Sequence, residues 1–154
     1  MQRVRVFNQG FIEAPAERVW AYITDWAGSN RPRRAGGLGP LTVNRIELEG
    51  DPSKTPRTRV FHFEALGVVR ETLLYQNDEA MHLYYNIEGV GPAGVRNYLA
   101  TTDVDAISPT RCQVTITARF DLLPDADVAK AKGIIDFAHN MGVIAAARAY
   151  LAAS

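Results

Sequence analysis

Val4 and Val6 alternate with polar neighbours and, after an irregularity at Gly10, Phe11 extends the pattern, which predicts a strand over residues 2 to 13. The period then changes. Pro15 suits a first helical turn, where its missing N–H costs nothing, and Val19, Trp20 and Ile23 recur at helical spacing up to Asp25-Trp26. From Gly28 to Pro40 four glycines and two prolines exclude regular structure and leave a loop carrying Arg31, Arg33 and Arg34. Period two returns over residues 41 to 49, 57 to 64, 68 to 76, 81 to 88, 95 to 106 and 111 to 122, with turn-forming residues in the gaps. Between Asp125 and Ala153 there is no proline, alanine is abundant, and Ile134, Phe137, Met141, Ile144, Ala147 and Leu151 recur three or four apart. A helix of roughly 28 residues would run about 42 Å at 1.5 Å per residue, enough to lie across a whole sheet.

Six consecutive strands with short connections make an antiparallel meander, and the first strand brings the total to seven. One apolar face of such a sheet must be covered, and only the C-terminal helix is big enough. The expected architecture is α+β: a curved antiparallel seven-stranded sheet wrapped around a long C-terminal helix, with two short helices after the first strand. It forms one domain over residues 1 to 154. A sheet curling round a helix leaves a cavity.

Composition narrows the function. With 17 Lys+Arg against 17 Asp+Glu the net charge is +0, so no global field steers the chain to nucleic acid or anionic membranes. Apolar residues at 47% against 22% charged mark a globular protein. The single cysteine, Cys112, forms neither an internal disulfide nor a zinc site. No stretch approaches the ~20 apolar residues of a membrane span, and MQRVRVFNQGF has no signal-peptide core, so a cytoplasmic location is expected. No metal-binding spacing occurs, and no cofactor is implied. Gly36-Gly37-Leu38-Gly39 lacks the Lys-Ser/Thr of a phosphate loop and suits a flexible lid. His62, His82 and His139 fall on outward strand positions or on the helix flank and read as surface residues.

Strand register follows from turn position. A hairpin turning at Ala65 sets Arg59 opposite Glu71, Phe61 opposite Val69 and Arg57 opposite Leu73, and period two puts Arg59, Phe61, Phe63, Val69, Glu71 and Leu73 on one face. Met81, Leu83, Tyr85 and Ile87 share the apolar side of the next strand. Tyr98, Ala100 and Thr102 share a face, as do Val114, Ile116, Ala118 and Phe120. An arginine and a glutamate directly across a strand pair lie ~5 Å apart at Cβ, within reach of an ion pair. That pair either fixes register or forms a pocket floor that meets a ligand oxygen, and the two roles are compatible. On the last helix Asp136 and Asn140 are four apart, beside Gly133, Phe137 and Ile144. Turned inward, this face lines the cavity with an acid and an amide; rolled by ~50°, it gives way to Ile134, Ala138 and Met141.

Three segments carry a family resemblance. Phe11-Ile12-Glu13-Ala14-Pro15-Ala16-Glu17-Arg18-Val19-Trp20 resembles the opening of the START-related (SRPBCC) helix-grip superfamily, which includes birch-pollen-allergen-like proteins, polyketide cyclases and plant abscisic-acid receptors. Arg59 followed by Glu71 in RVFHFEALGVVRETLLYQND is similar to the family's arginine, hairpin and glutamate-leucine pattern. Arg96-Asn97-Tyr98-Leu99-Ala100-Thr101-Thr102 is similar to the strand bearing a pocket tyrosine in the receptors, and Asn140 stands where they place a pocket asparagine. Their long gate loop is here the tight Ala65-Leu66-Gly67 turn, which argues against hormone reception with a protein partner. The resemblance implies the polyketide cyclase/dehydrase and lipid-transport branch.

The expected partner is a hydrophobic, aromatic or polyketide-like small molecule, contacted by Tyr85, Phe61, Leu83, Ala100, Ile116, Phe137 and Asn140. As an enzyme the protein would use Asp136 as general base α to a carbonyl, with Glu71 engaged by Arg59, and with Arg59, Tyr85 or Tyr98 holding the enolate oxygen. Cyclisation, dehydration or isomerisation would follow. As a carrier or sensor it would use the same groups for orientation alone, and the sequence leaves that choice open. A homodimer through the meander edge is compatible with the sequence, though no residue specifies it.

Overall fold

The computed structural model describes residues 1–28 and 41–153. Strands β1 (Gln2–Ile12), β2 (Val43–Glu49), β3 (Arg57–Phe63), β4 (Gly67–Asn77), β5 (His82–Ile87), β6 (Arg96–Ser108) and β7 (Arg111–Leu122) form one antiparallel sheet ordered β1-β7-β6-β5-β4-β3-β2. Helix α1 (Ala16–Thr24) follows β1. The C-terminal helix consists of α2 (Val128–Phe137), a π-helical stretch over Ala138–Ala145, and α3 (Ala146–Ala152). Between β1 and β2 the described residues hold α1 as their one α-helix, and the arginine-bearing loop and its glycine lid lie outside them, at residues 29–40.

The β3–β4 hairpin has the register expected from its turn: Arg59 pairs with Glu71, Phe61 with Val69 and Arg57 with Leu73. Side chains of the concave face form one core. Leu73, Leu83, Ala100, Ile116 and Phe120 are completely buried, and each of the larger ones contributes ~1.5–3 kcal/mol by leaving water. Pro15 precedes α1 as its N-cap, and its carbonyl accepts from the N–H groups of Arg18 and Val19. Val19, Trp20 and Ile23 are buried as their spacing requires. The Trp20 indole N–H donates to Asp78 at 2.9 Å and ties α1 to the β4–β5 turn.

Two elements depart from the periodicity. Strand β1 runs through Gly10 without a slip, pairing Gly10 with Val114 and Ile12 with Cys112. Inward positions are therefore Val4, Val6, Asn8, Gly10 and Ile12, and Phe11 faces outward at 43% exposure. On the C-terminal helix, Ile144, Ala147 and Leu151 are buried as expected, but Ile134 and Phe137 are only half-buried and Met141 is exposed. The buried positions ahead of Ile144 are Ala131, Ile135 and His139. From His139 to Ile144 is a step of five, the repeat of a π-turn, which inserts a residue and rotates the first half of the helix relative to the second.

Gly10 explains how closely the helix approaches. A Cβ there would stand 2.8 Å from Ile144 Cγ2 and 3.4 Å from Arg148 Nη2. Arg148 also donates to the Phe11 carbonyl through Nε at 3.2 Å and Nη2 at 2.6 Å. Gly10→Ala is expected to lower stability by about 1–2 kcal/mol, because Ile144 branches at Cβ and must move with its helix. Urea unfolding checks this; an unchanged midpoint would show that the helix does not bear on β1 here.

Candidate functional site

Towards β2 the concave face is less enclosed. Ile46, Leu48, Phe61 and Phe63 are half-buried, and the Phe61 and Phe63 rings stack with centroids 5.1 Å apart. Amid them Arg59 donates to Glu71 Oε2 from Nε at 3.1 Å and Nη2 at 2.6 Å. Their side chains keep 14% and 15% exposure. The guanidinium carbon lies 3.5 Å from the Trp26 ring centroid, 5.1 Å from Phe61 and 5.5 Å from Tyr85. Nη1 donates to the Trp26 carbonyl at 3.3 Å, and the Trp26 indole N–H donates to the Glu71 carbonyl at 3.1 Å. Trp26 thus reads the pair from both sides, a cation–π lid joined to the strand by its own hydrogen bonds.

Among the described residues, every hydrogen bond to the Glu71 carboxylate goes to Oε2.

Deeper in, hydrogen bonds run from the sheet to the helix. Tyr85 Oη lies 3.3 Å from Tyr98 Oη, which lies 2.7 Å from His139 Nε2. His139 Nδ1 is 3.3 Å from Asn8 Nδ2, which also donates to Asp136 Oδ1 at 3.0 Å. Asn140 Nδ2 donates to Asn8 Oδ1 at 2.7 Å. Burial pushes the Tyr85 and Tyr98 phenols up, so both keep their protons at neutral pH. Burial drives the His139 imidazole down to about 4, against a partial upward pull from Asp136 and a further downward push from Arg59. It is neutral at pH 7.

Arg59, Glu71, Phe61, Tyr85 and Tyr98 therefore converge on one region. Leu83, Ala100 and Ile116 are completely buried in the core that supports it. Asp136 and Asn140 do not join Arg59; both close on Asn8, at the β1 edge of the same face. Phe137 is half-buried on α2. His139 corrects the surface reading of the histidines, at 2% exposure, because the π-turn brings the flank of the helix inward. Three participants escaped sequence reasoning. Asn8 had a signal, since it shares the parity of Val4 and Val6 and is the polar member of an inward apolar row. Trp26 had none beyond its size, and His139 none, since a regular helix keeps it on the flank.

Among the described residues no three His, Cys, Asp or Glu side chains are grouped to hold a metal ion, and no helix is long and apolar enough to cross a membrane.

A sheet gripping a long helix, with a polar cluster set into its apolar concave face, defines a helix-grip protein. The chain belongs to the polyketide cyclase/dehydrase and lipid transport family, whose profile matches residues 3–147. Solved structures share the fold. An uncharacterised protein from Bacillus thuringiensis superposes with a TM-score of 0.73 at 19% identity, over 96% of this chain and 99% of that one. Norcoclaurine synthase from Thalictrum flavum, in complex with dopamine and hydroxybenzaldehyde, gives 0.70 at 15% identity over 98% and 87%. A Thermobifida fusca protein gives 0.67 at 23% over 92% and 85%. Comparison with curated protein sequences gives no match.

Proposed function

We propose that the protein binds a hydrophobic aromatic or polyketide-like carbonyl compound against the β2–β5 part of the concave face and acts on it by acid–base chemistry. The observation that carries this reading is the Arg59–Glu71 pair, still 14% and 15% exposed, set among half-buried Leu48, Phe61 and Phe63. An ion pair serving only strand register needs no such apolar approach. Family membership supports a hydrophobic ligand. The same fold in Thalictrum flavum holds two aromatic molecules.

In this reading the apolar strip takes the ring system, and the carbonyl oxygen lies towards Arg59 and Tyr85. Glu71, through the oxygen that Arg59 leaves open, removes a proton α to the carbonyl. The Arg59 guanidinium and the Tyr85 hydroxyl hold the enolate oxygen. The base role passes from Asp136 to Glu71 because Asp136 is spent on Asn8. Aldol-type cyclisation, dehydration or isomerisation all start from this enolate.

The second reading, a carrier, is favoured by the two N–H bonds that Arg59 directs at one Glu71 oxygen, since a pair so joined can orient a ligand without moving a proton. One experiment separates them. The protein is titrated with 2-acetylnaphthalene by calorimetry, and deuterium uptake at its methyl group is then followed in D2O by mass spectrometry. Binding with exchange above the buffer rate is expected. Binding with exchange at the buffer rate would leave the carrier; absence of binding would overturn the site.

A further inference from the structure

We infer that Asp136 and Asn8, acting through His139 and Tyr98, fix the Tyr85 hydroxyl as a hydrogen-bond donor, so that the site selects ligands that turn an accepting oxygen to it. This rests on the ligand site proposed above, but its first test does not need a ligand.

The direction of each hydrogen bond follows from the one before it. A carboxylate only accepts, so the group that Asn8 turns to Asp136 Oδ1 at 3.0 Å is its NH2. Its carbonyl is then the atom that meets the Asn140 amide, whose Nδ2 donates to Asn8 Oδ1 at 2.7 Å. The other hydrogen of the same NH2 points at His139 Nδ1, 3.3 Å away, so that nitrogen accepts. A neutral imidazole with an accepting Nδ1 carries its hydrogen on Nε2. Nε2–H then donates to Tyr98 Oη at 2.7 Å. Tyr98 must turn its own hydrogen elsewhere, and the oxygen in range is Tyr85 Oη at 3.3 Å.

The Tyr85 hydrogen is left over. Among the described residues no further acceptor lies within hydrogen-bond distance of Tyr85 Oη, and the residue is 4% exposed. A buried hydroxyl donor without an acceptor is unfavourable, and a ligand carbonyl or ether oxygen would satisfy it where an amine or hydroxyl hydrogen would not. Burial, which holds both phenols in the protonated form and His139 in the neutral form, keeps the chain from short-circuiting through a charged member. Replacing Asp136 by Asn lifts the constraint at its origin. An amide can present NH2 to Asn8 as readily as C=O, so the whole chain can reverse: His139 protonated on Nδ1, Tyr98 donating to Nε2, Tyr85 donating to Tyr98.

Asp136, Asn8 and His139 are positioning residues here, and the readout is the tautomer of His139. Long-range 1H–15N correlation spectra of the 15N-labelled full chain at pH 7 should show His139 as the Nε2–H form, with an unprotonated Nδ1. In Asp136→Asn the Nδ1–H form should gain population. A wild-type Nδ1–H tautomer, or an Asp136→Asn spectrum unchanged from wild type, would overturn the inference. Should Asp136→Asn fail to fold, the wild-type spectrum alone still decides.

Ligand preference is the second readout, with 2-acetylnaphthalene against 2-ethylnaphthalene, molecules of one shape that differ in the acceptor. The ketone should bind about tenfold tighter than the hydrocarbon in the wild type, the worth of one hydrogen bond to a buried donor. That ratio should shrink in Asp136→Asn and shrink further in Tyr85→Phe, where Arg59 alone still faces the oxygen. An undiminished ratio in Tyr85→Phe would overturn the donor role. Failure of both compounds to bind, with the Nε2–H tautomer in place, would sink the ligand site and leave the polarity of the chain standing.

Discussion

Glu71→Gln is expected to abolish deuterium exchange into 2-acetylnaphthalene, lowering the protein-catalysed rate by ~10²–10⁴-fold, the usual worth of a positioned general base. The amide matches the carboxylate in shape and can still accept from Arg59 Nε and Nη2 through its carbonyl. It cannot take a proton from carbon. Binding of 2-ethylnaphthalene, which touches only the apolar strip, should change little and shows that the site survives. Arg59→Met is the companion variant. It keeps an apolar stem beside Trp26 and Phe61 but strips Glu71 of its partner, and a half-enclosed carboxylate left alone costs on the order of 3 kcal/mol. Stability should therefore fall more in Arg59→Met than in Glu71→Gln, whereas exchange should fall in both. Exchange persisting at the wild-type rate in Glu71→Gln would take the base role away from it.

The second large effect concerns acid. His139 has an ordinary value of 6.5 and is held at about 4 in the folded chain, chiefly by burial. Because the folded pKa is the lower one, the unfolded chain takes up a proton first as pH falls. The stability this neutral histidine permits is complete above pH 6.5 and is lost progressively down to pH 4. Over that window the loss amounts to about 3 kcal/mol, from 1.36 kcal/mol per unit. Tyr98 on β6 meets the ring, the charges of Asp136 on α2 and Arg59 on β3 act on it, Tyr85 on β5 stands behind Tyr98, and both phenols stay protonated throughout.

The Arg3–Asp121 contact acts lower on the scale. Arg3, with help from Asn97, holds the Asp121 carboxyl down at about 2, so that pair begins to fail where the histidine effect has ended. Urea unfolding at half-unit steps should give a stability that falls between pH 6.5 and 4 in the wild type. In His139→Gln the same interval should be nearly flat, whatever the absolute stability of the variant. Equal slopes in the two proteins would mean that His139 is not the group being titrated.

The sheet was legible from the chain because a strand's side-chain period is two and its partners are fixed locally. Once the turn is placed at Ala65, the facing of Arg59 and Glu71 follows by counting, and the hydrogen bonds between them need only the two side chains. The same counting gives the buried faces of β5, β6 and β7. At Gly10 the count runs on unbroken: β1 is continuous, and Asn8 rather than Phe11 turns inward.

The helix obeyed a different rule. Each residue turns it by about 100°, so a single extra residue redirects everything before it. The π-helical stretch Ala138–Ala145 supplies that residue, and nothing in AHNMGVIA announces it. Its consequences are visible only in three dimensions, where Ile144 packs against Gly10 while His139 faces Tyr98 and Asn8. Sequence alone determined the order of elements, the register of the hairpin and the ion pair on its concave face, since these depend on neighbours in the chain and on a period of two. Tertiary structure decided the roll of the C-terminal helix, and with it the burial of His139 and the partners of Asp136, since these depend on how surfaces far apart in the chain fit together.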